Sequence, residues 1–252
     1  METKENIKRT ELYHAGKANN VYLTNNPEYL ELESSDRISA GNGVKRDVIS
    51  GKGISNNQIS SIIFQYLEKN GVPTHYVCEG SNESSKIVKK AEMIPLEVIC
   101  RFYTAGSFCK RYGCEQGLQF KEPLIEYTYK SDSTGDPLID RKTILALSKM
   151  TKVKSELELY LIEYYTARTG LLLSKFYEQL GIKLVDFKVE YGRVPSGEII
   201  LCDEVSPDTC RLVDIKTGEK LDKDIFREDL GDVSKGYNEV YQRVLTLKKP
   251  RE

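Results

Sequence analysis

Residues 184–211, LVDFKVEYGRVPSGEIILCDEVSPDTCR, constrain the fold more than any other stretch of the chain. Val185, Phe187 and Val189 alternate with Asp186, Lys188 and Glu190, and the period of two reads as a strand with one apolar and one charged face. Residues 198–203 are β-branched and apolar, and Pro195-Ser196-Gly197 between the halves has turn composition, so the whole reads as a hairpin. A two-residue loop at Ser196-Gly197 places Glu190 directly opposite Asp203. Opposed residues share a face with Cβ atoms about 4.5–5.5 Å apart. Two carboxylates there repel by roughly 3 kcal/mol at an effective dielectric near 20, so something positive belongs between them. A divalent cation held by one or two carboxylates and completed by phosphate fits, with Lys188 meeting an anion from the same face. An amphipathic edge hairpin whose charged face is simply solvated explains the same pattern.

Composition narrows the partners. The 252 residues are 39% hydrophobic and 30% charged, ordinary values for one large or two small globular domains. Lys plus Arg is 37 against 38 acidic residues, so no bulk charge draws nucleic acid or an anionic membrane, and any anion site is a local cluster. The amino-terminal text lacks the apolar run of a signal peptide and no segment approaches a membrane span, which leads to the expectation of a soluble, cytoplasmic protein. Six cysteines, at 78, 100, 109, 114, 202 and 210, form no CxxC pair, and His14 and His75 are far apart. That pattern argues against a zinc site, a disulfide framework or a Cys/His nucleophile, and reads as thiols that are reduced and mostly buried.

In chain order, residues 11–32 read as an antiparallel meander. Gly16-Lys17 in its first turn could approach phosphates, but it is no Walker A loop and reads first as a solvated turn lysine. Residues 34–53, rich in Gly, Ser, Asp and Asn, read as a long loop. A helix capped by Ser55 or Asn56 follows, with Ile59, Ile62, Ile63, Tyr66 and Leu67 as its apolar stripe and Gly71 and Pro73 at its end. Strands are expected at 86–90 and 96–103. Arg101 in the latter feeds a small-residue turn at Thr104-Ala105-Gly106-Ser107, where its fork could meet a phosphate or carboxylate, or could snorkel at the surface. A polar strand and loop at 121–137 carries Lys130. Residues 148–180 read as mainly helical, with Leu157, Tyr160, Leu161 and Tyr164 at helical spacing and Gly170 as a possible break. Asp222 is a candidate helix cap, Phe226 and Leu230 are expected to bury one turn apart, and a last helix is expected at 236–247.

The segments LVDFKVEYG, DEVSPDTCRLVD and LDKDIFR, with ELYHAGKANNVY, SAGNG, GKGISNNQIS, IVKKAEMIPLEVICR and AGSFCKRYG upstream, closely resemble the SAICAR synthetase family over nearly the whole chain. The resemblance implies an α+β fold: a small antiparallel-sheet amino-terminal domain (1–92), a larger α+β carboxy-terminal domain (93–252), and ATP in the cleft between them, distantly similar to kinases and ATP-grasp ligases. It implies an ATP- and Mg²⁺-dependent ligase of purine biosynthesis that joins carboxyaminoimidazole ribonucleotide to L-aspartate. By resemblance Glu190 and Asp203 match the acidic Mg²⁺–ATP pair, Lys17 a phosphate-contacting lysine, and Lys89, Met93 and Lys130 the nucleotide side. Ser39, Arg101, Ser107 and Arg211 match substrate-holding positions. Asp186 and Lys188 match the family's charged strand and join Lys17 as candidate catalytic residues. Asn19 stands where some members have a second lysine, and Asn42 where some have an aspartate. A homodimer is a family-level expectation. Rival readings are a small-molecule kinase on a related scaffold and a non-catalytic nucleotide-binding module.

Overall fold

The computed structural model describes residues 6–41, 43–131 and 133–247; Asn42 and the first five residues lie outside them. The expected meander forms as β1 (Arg9–Ala15), β2 (Asn19–Thr24) and β3 (Tyr29–Ser34). The stretch expected as a long loop instead folds a hairpin, β4 (Arg37–Ala40) and β5 (Lys45–Val48). Alternating polar and small residues hid these strands, because neither carries an apolar face long enough to read.

Helix α1 (Lys52–Lys69) begins earlier than expected, with Gly51 at its cap. Ser55 and Asn56 lie inside it. Its orphan N–H groups are met from a distance, since the Asp36 carboxylate accepts from Gly51 N at 3.1 Å and Gly53 N at 2.8 Å. Strands β6 (Tyr76–Glu79) and β7 (Ser85–Lys89) then complete a five-stranded antiparallel sheet in the order β1-β2-β3-β7-β6.

The second sheet contains β8 (Glu92–Tyr103) and, after the short α2 (Ser107–Tyr112), β9 (Gln119–Tyr129). Helices α3 (Arg141–Ala146), α4 (Ser148–Thr151) and α5 (Glu156–Glu178) lead to β10 (Ile182–Arg193). Strands β11 (Ile199–Cys202) and β12 (Cys210–Asp214) pair with successive parts of β10 along one edge, and β8 and β9 lie on the other. Every pairing between these strands is antiparallel. β10 is therefore a central strand, and the edge-hairpin reading of its charged face is excluded. Short α6 (Asp224–Arg227) and α7 (Val233–Leu245), the latter capped by Asp232, close the chain.

Apolar residues of α1 (Ile59, Ile63, Phe64, Leu67), of α5 (Leu159, Ile162, Leu173, Phe176) and of β8 and β10 form one core cluster. The buried face of α5 differs from the expected one: Leu157, Tyr160 and Tyr164 are exposed, and Leu159, Ile162 and Thr166 face inward. Aromatic residues at helical spacing do not say which side is covered when apolar residues lie all round. Gly170 does not break α5. Phe226 is buried as expected, whereas Leu230 is 56% exposed because the chain has left α6 before reaching it.

The hairpin register also differs. Glu190 pairs with Cys202 and Arg193 with Ile199, and Val194 N donates to Glu198 O across the residues Pro195, Ser196 and Gly197. The loop thus holds three residues, and Gly197 takes the left-handed conformation, φ 91°, that three-residue hairpin loops place on glycine. One extra loop residue shifts every partner by one.

Candidate active site

The sheets flank a cleft of about 920 Å³. Lys17, Ser39, Lys89, Met93, Arg101, Ser107, Lys130, Asp186, Lys188, Glu190, Asp203 and Arg211 all line it. Residues from the turn after β1 to the start of β12 thus meet in one space. The two sheets are stitched beside it, where His75 N donates to Leu201 O and Leu201 N to Pro73 O, each at 2.9 Å.

Three adjacent strands build the charged floor. Arg101 on β8, Asp186 on β10 and Arg211 on β12 are cross-strand partners in one rung. Asp186 is 3% exposed and accepts from Arg101 Nη1 at 2.7 Å and from Arg211 Nη1 at 2.8 Å. Arg101 also donates through Nε to Glu126, and Arg211 through Nε to Asp224. Burial disfavours the Arg211 charge, yet Asp186 and Asp224 outweigh it and raise its pKa further. One sequence expectation needs correction here. Arg101 does not offer an open fork, since Nε and Nη1 are already engaged and the residue is almost wholly buried. Asp186, grouped by sequence with the reacting residues, accepts from both arginines and links them.

Two rungs along the same face, Glu190 opposes Glu97 rather than Asp203. The anticipated pair of opposed carboxylates therefore exists, with a different partner. Asp203 still reaches the site, because it leaves β11 with a left-handed backbone, φ 62°, instead of continuing the alternation. Lys188 Nζ donates to Asp203 Oδ2 at 2.7 Å and to Glu190 Oε1 at 3.1 Å, and lies 3.9 Å from Glu97. Lys130 Nζ, reaching from the end of β9, donates to both Glu190 oxygens at 2.7 Å. The positive charge called for between the carboxylates is thus supplied by two lysines. Desolvation works against the Lys188 ammonium, but Asp203, Glu190 and Glu97 overcome it and hold its pKa well above the ordinary value. Desolvation likewise works against the Asp203 carboxylate, and Lys188 and Lys130 prevail and keep it below the usual range.

Behind Asp203 lies His75, fully buried and kept neutral with its pKa lowered to about 3, first by burial and then by the charge of Lys86. Sequence reading missed this support. It also missed Asp208, which accepts from Lys52 at 2.6 Å, from Asn56 at 2.9 Å and from Tyr237 at 2.6 Å and so ties α1 and α7 to the cleft wall. Nothing in local periodicity points to those long-range pairs. Glu97 could have been found, since Glu97, Ile99 and Arg101 alternate on one strand face.

Lys17 and Ser39 enter from the first sheet and the β4–β5 hairpin, Lys89 donates to Thr74 O at 3.2 Å, and Met93 is 39% exposed at the cleft edge. Ser107 begins α2 and accepts from Arg111 at 3.3 Å. Among the described residues no cluster of three or more His, Cys, Asp or Glu could enclose a metal ion. Glu190 and Asp203, converging on one ammonium, suit a hard cation that takes one or two carboxylates and fills its shell with phosphate and water.

A family model described as SAICAR synthetase matches residues 12–244. The phosphoribosylaminoimidazole-succinocarboxamide synthase of Coprothermobacter proteolyticus is 44% identical over 238 residues, 94% of this chain and 99% of that one. A crystal structure of the synthase from Ehrlichia chaffeensis superposes with a TM-score of 0.89 at 38% identity, covering 96% of this chain and all of that one. A SAICAR synthetase in complex with ADP gives 0.88, also at 38% identity and with the same coverage.

Proposed function

The chain belongs to the SAICAR synthetase family, and from that footing we propose how its cleft performs the family's reaction. The enzyme is the ATP-dependent ligase of purine biosynthesis that joins carboxyaminoimidazole ribonucleotide and L-aspartate to give SAICAR, ADP and phosphate. The observation that carries our assignment of its two ends is the polarity of the cleft floor: carboxylates with lysines at one end, a carboxylate-anchored pair of arginines at the other. ATP binds at the lysine end, with Lys17, Lys130 and Lys188 on its phosphates and Lys89 and Met93 beside the base. The ribonucleotide phosphate binds at the arginine end, near Ser107 and Arg211, with Ser39 on the facing hairpin.

A carboxylate does not acylate an amine unaided, because oxide is a very poor leaving group. Transfer of the γ-phosphoryl group to a carboxylate oxygen forms a C–O–P link as the bond to ADP breaks. The aspartate amine then adds at the acyl carbon and phosphate departs. Positioning and charge neutralisation supply most of the acceleration in such transfers. Lys188 and Lys130 lie where charge develops on the phosphoryl oxygens, and their carboxylate partners keep them protonated. Asp186 positions Arg101 and Arg211 and transfers no proton. Mg²⁺, held by Glu190 and Asp203, would supply charge neutralisation of the triphosphate. No described helix is long and apolar enough to cross a membrane, and we place the enzyme in the cytoplasm with its water-soluble substrates.

The test is a product assay with ATP, the carboxylated ribonucleotide and aspartate, omitting each in turn. ADP release and imidazole-amide product both depend on all three substrates. Sustained ADP formation without aspartate, with a stable phosphorylated product, would instead establish a kinase.

A further inference from the structure

The helix that begins at Ser107 ends in a feature unrelated to the cleft chemistry. Gly113 terminates α2 in the left-handed conformation, φ 63°, and its N–H donates to Cys109 O at 2.8 Å. A glycine in this position folds the next residue back over the last turn of the helix, so that the residues flanking the cap come into side-chain contact. Here those residues are Cys109, four positions before the glycine, and Cys114, directly after it, and desolvation together with the neighbouring Cys109 thiol raises the Cys114 pKa. The following loop is fastened in place: Thr104 Oγ1 donates to Glu115 O at 2.7 Å, and Gly117 N donates to Thr104 O at 2.8 Å. The Cys109 thiol also approaches Glu115 O at 3.5 Å. Both cysteines are partly exposed, whereas Cys100, Cys202 and Cys210 are buried, so the expectation of mostly buried thiols fails in this region.

We propose that Cys109 and Cys114 form a dithiol modification site that reacts with low-molecular-weight disulfides to close a reversible disulfide across the carboxy-terminal end of α2. In the first step one cysteine thiolate attacks a sulfur of the small disulfide; a protein–small-molecule S–S bond forms and one small thiolate leaves. In the second step the other cysteine thiolate attacks the protein sulfur of that mixed disulfide and expels the second small thiolate. The two protons pass to the departing thiolates, the dithiol is oxidised by two electrons, and the small disulfide is reduced by two. The second step is intramolecular, with an effective concentration of about mM or more, and the fold-back at Gly113 brings both cysteines to the same end of α2. The same pair is a chelating site for a trivalent arsenical. Neither property depends on the roles assigned in the cleft.

Trypsin cuts between the two cysteines, at Lys110 and Arg111. The folded full-length protein is incubated with oxidised glutathione, alkylated and digested. The expected result is a cross-linked pair, residues 102–110 joined to residues 112–121, two hydrogens lighter than the separate peptides. Two of the six thiols are lost to titration, and reduction restores both. In Cys109→Ser or Cys114→Ser the remaining cysteine instead retains one glutathione, basal ligase activity stays intact, and binding of one equivalent of phenylarsine oxide disappears. The proposal is overturned if both cysteines in the parent protein stay free, or if each accumulates its own glutathione without ring closure.

Discussion

Replacing Asp186 by asparagine probes the rung on which the substrate end of the cleft rests. Asp186 is the anion shared by Arg101 at 2.7 Å and Arg211 at 2.8 Å, on three neighbouring strands. The amide keeps size and shape but removes the charge, and it turns an N–H group toward a guanidinium that can only donate. Each hydrogen bond to a charged group is worth about 1.5–3 kcal/mol, and leaving a buried charge without its partner costs about 3–5 kcal/mol. Glu126 still holds Arg101 and Asp224 still holds Arg211, so the two costs do not add in full and a loss of about 3–5 kcal/mol is expected. In a chain of this size that lowers the melting temperature by roughly 6–20 °C. Urea unfolding read by far-UV circular dichroism measures the loss directly. Initial-rate kinetics should show KM for the ribonucleotide raised at least tenfold, KM for ATP nearly unchanged, and the pH profile of kcat unmoved. An unfolding free energy within about 0.5 kcal/mol of the parent would show that the rung carries no structural weight. A collapse of kcat with intact stability and KM would mean that Asp186 reacts rather than positions.

Glu190→Gln and Asp203→Asn should each lower kcat/KM by at least about 100-fold, equivalent to about 2.7 kcal/mol of transition-state stabilisation, and shift the Mg²⁺ concentration needed for half-maximal rate; near-normal activity with unchanged Mg²⁺ dependence would sink their assigned role. Lys86 is fully buried with Ser60 as its hydrogen-bond partner at 3.0 Å, and desolvation lowers its pKa to about 8. A lysine depressed in the fold penalises stability fully below about 8, and the penalty is relieved as pH rises toward its unfolded value of about 10.4. Lys86→Met should therefore stabilise the protein at pH 7 by about 1–3 kcal/mol and abolish the alkaline rise in stability, both read by urea titrations at pH 7, 8 and 10. Asp36→Ala should cost about 1 kcal/mol by uncapping α1 from outside the helix, measured by thermal unfolding; no change would mean that water replaces Asp36 without loss.

How much was legible in the sequence depended on the range of the interactions involved. Strand β10 was readable because its own alternation separates Phe187 and Val189 from Asp186, Lys188 and Glu190, and a period of two is a local property. The β1–β3 meander was readable for the same reason, and the resemblance gathered residues as distant as Lys17 and Arg211 into one functional group before any fold was known. Three things were decided only by the tertiary structure. One residue more in the loop at Pro195-Ser196-Gly197 moved the partner of Glu190 from Asp203 to Cys202, and loop length is set by backbone conformation that composition does not encode. The carboxylate that does oppose Glu190 is Glu97, separated from it by most of the second sheet's chain. The exposed face of α5 was misjudged because burial is a property of what packs against a helix. Sequence determined which side chains share a strand face and which chemistry they can perform. Their assignment to one another was set by the pairing of β8, β10 and β12, since an electrostatic partner is chosen by distance in space.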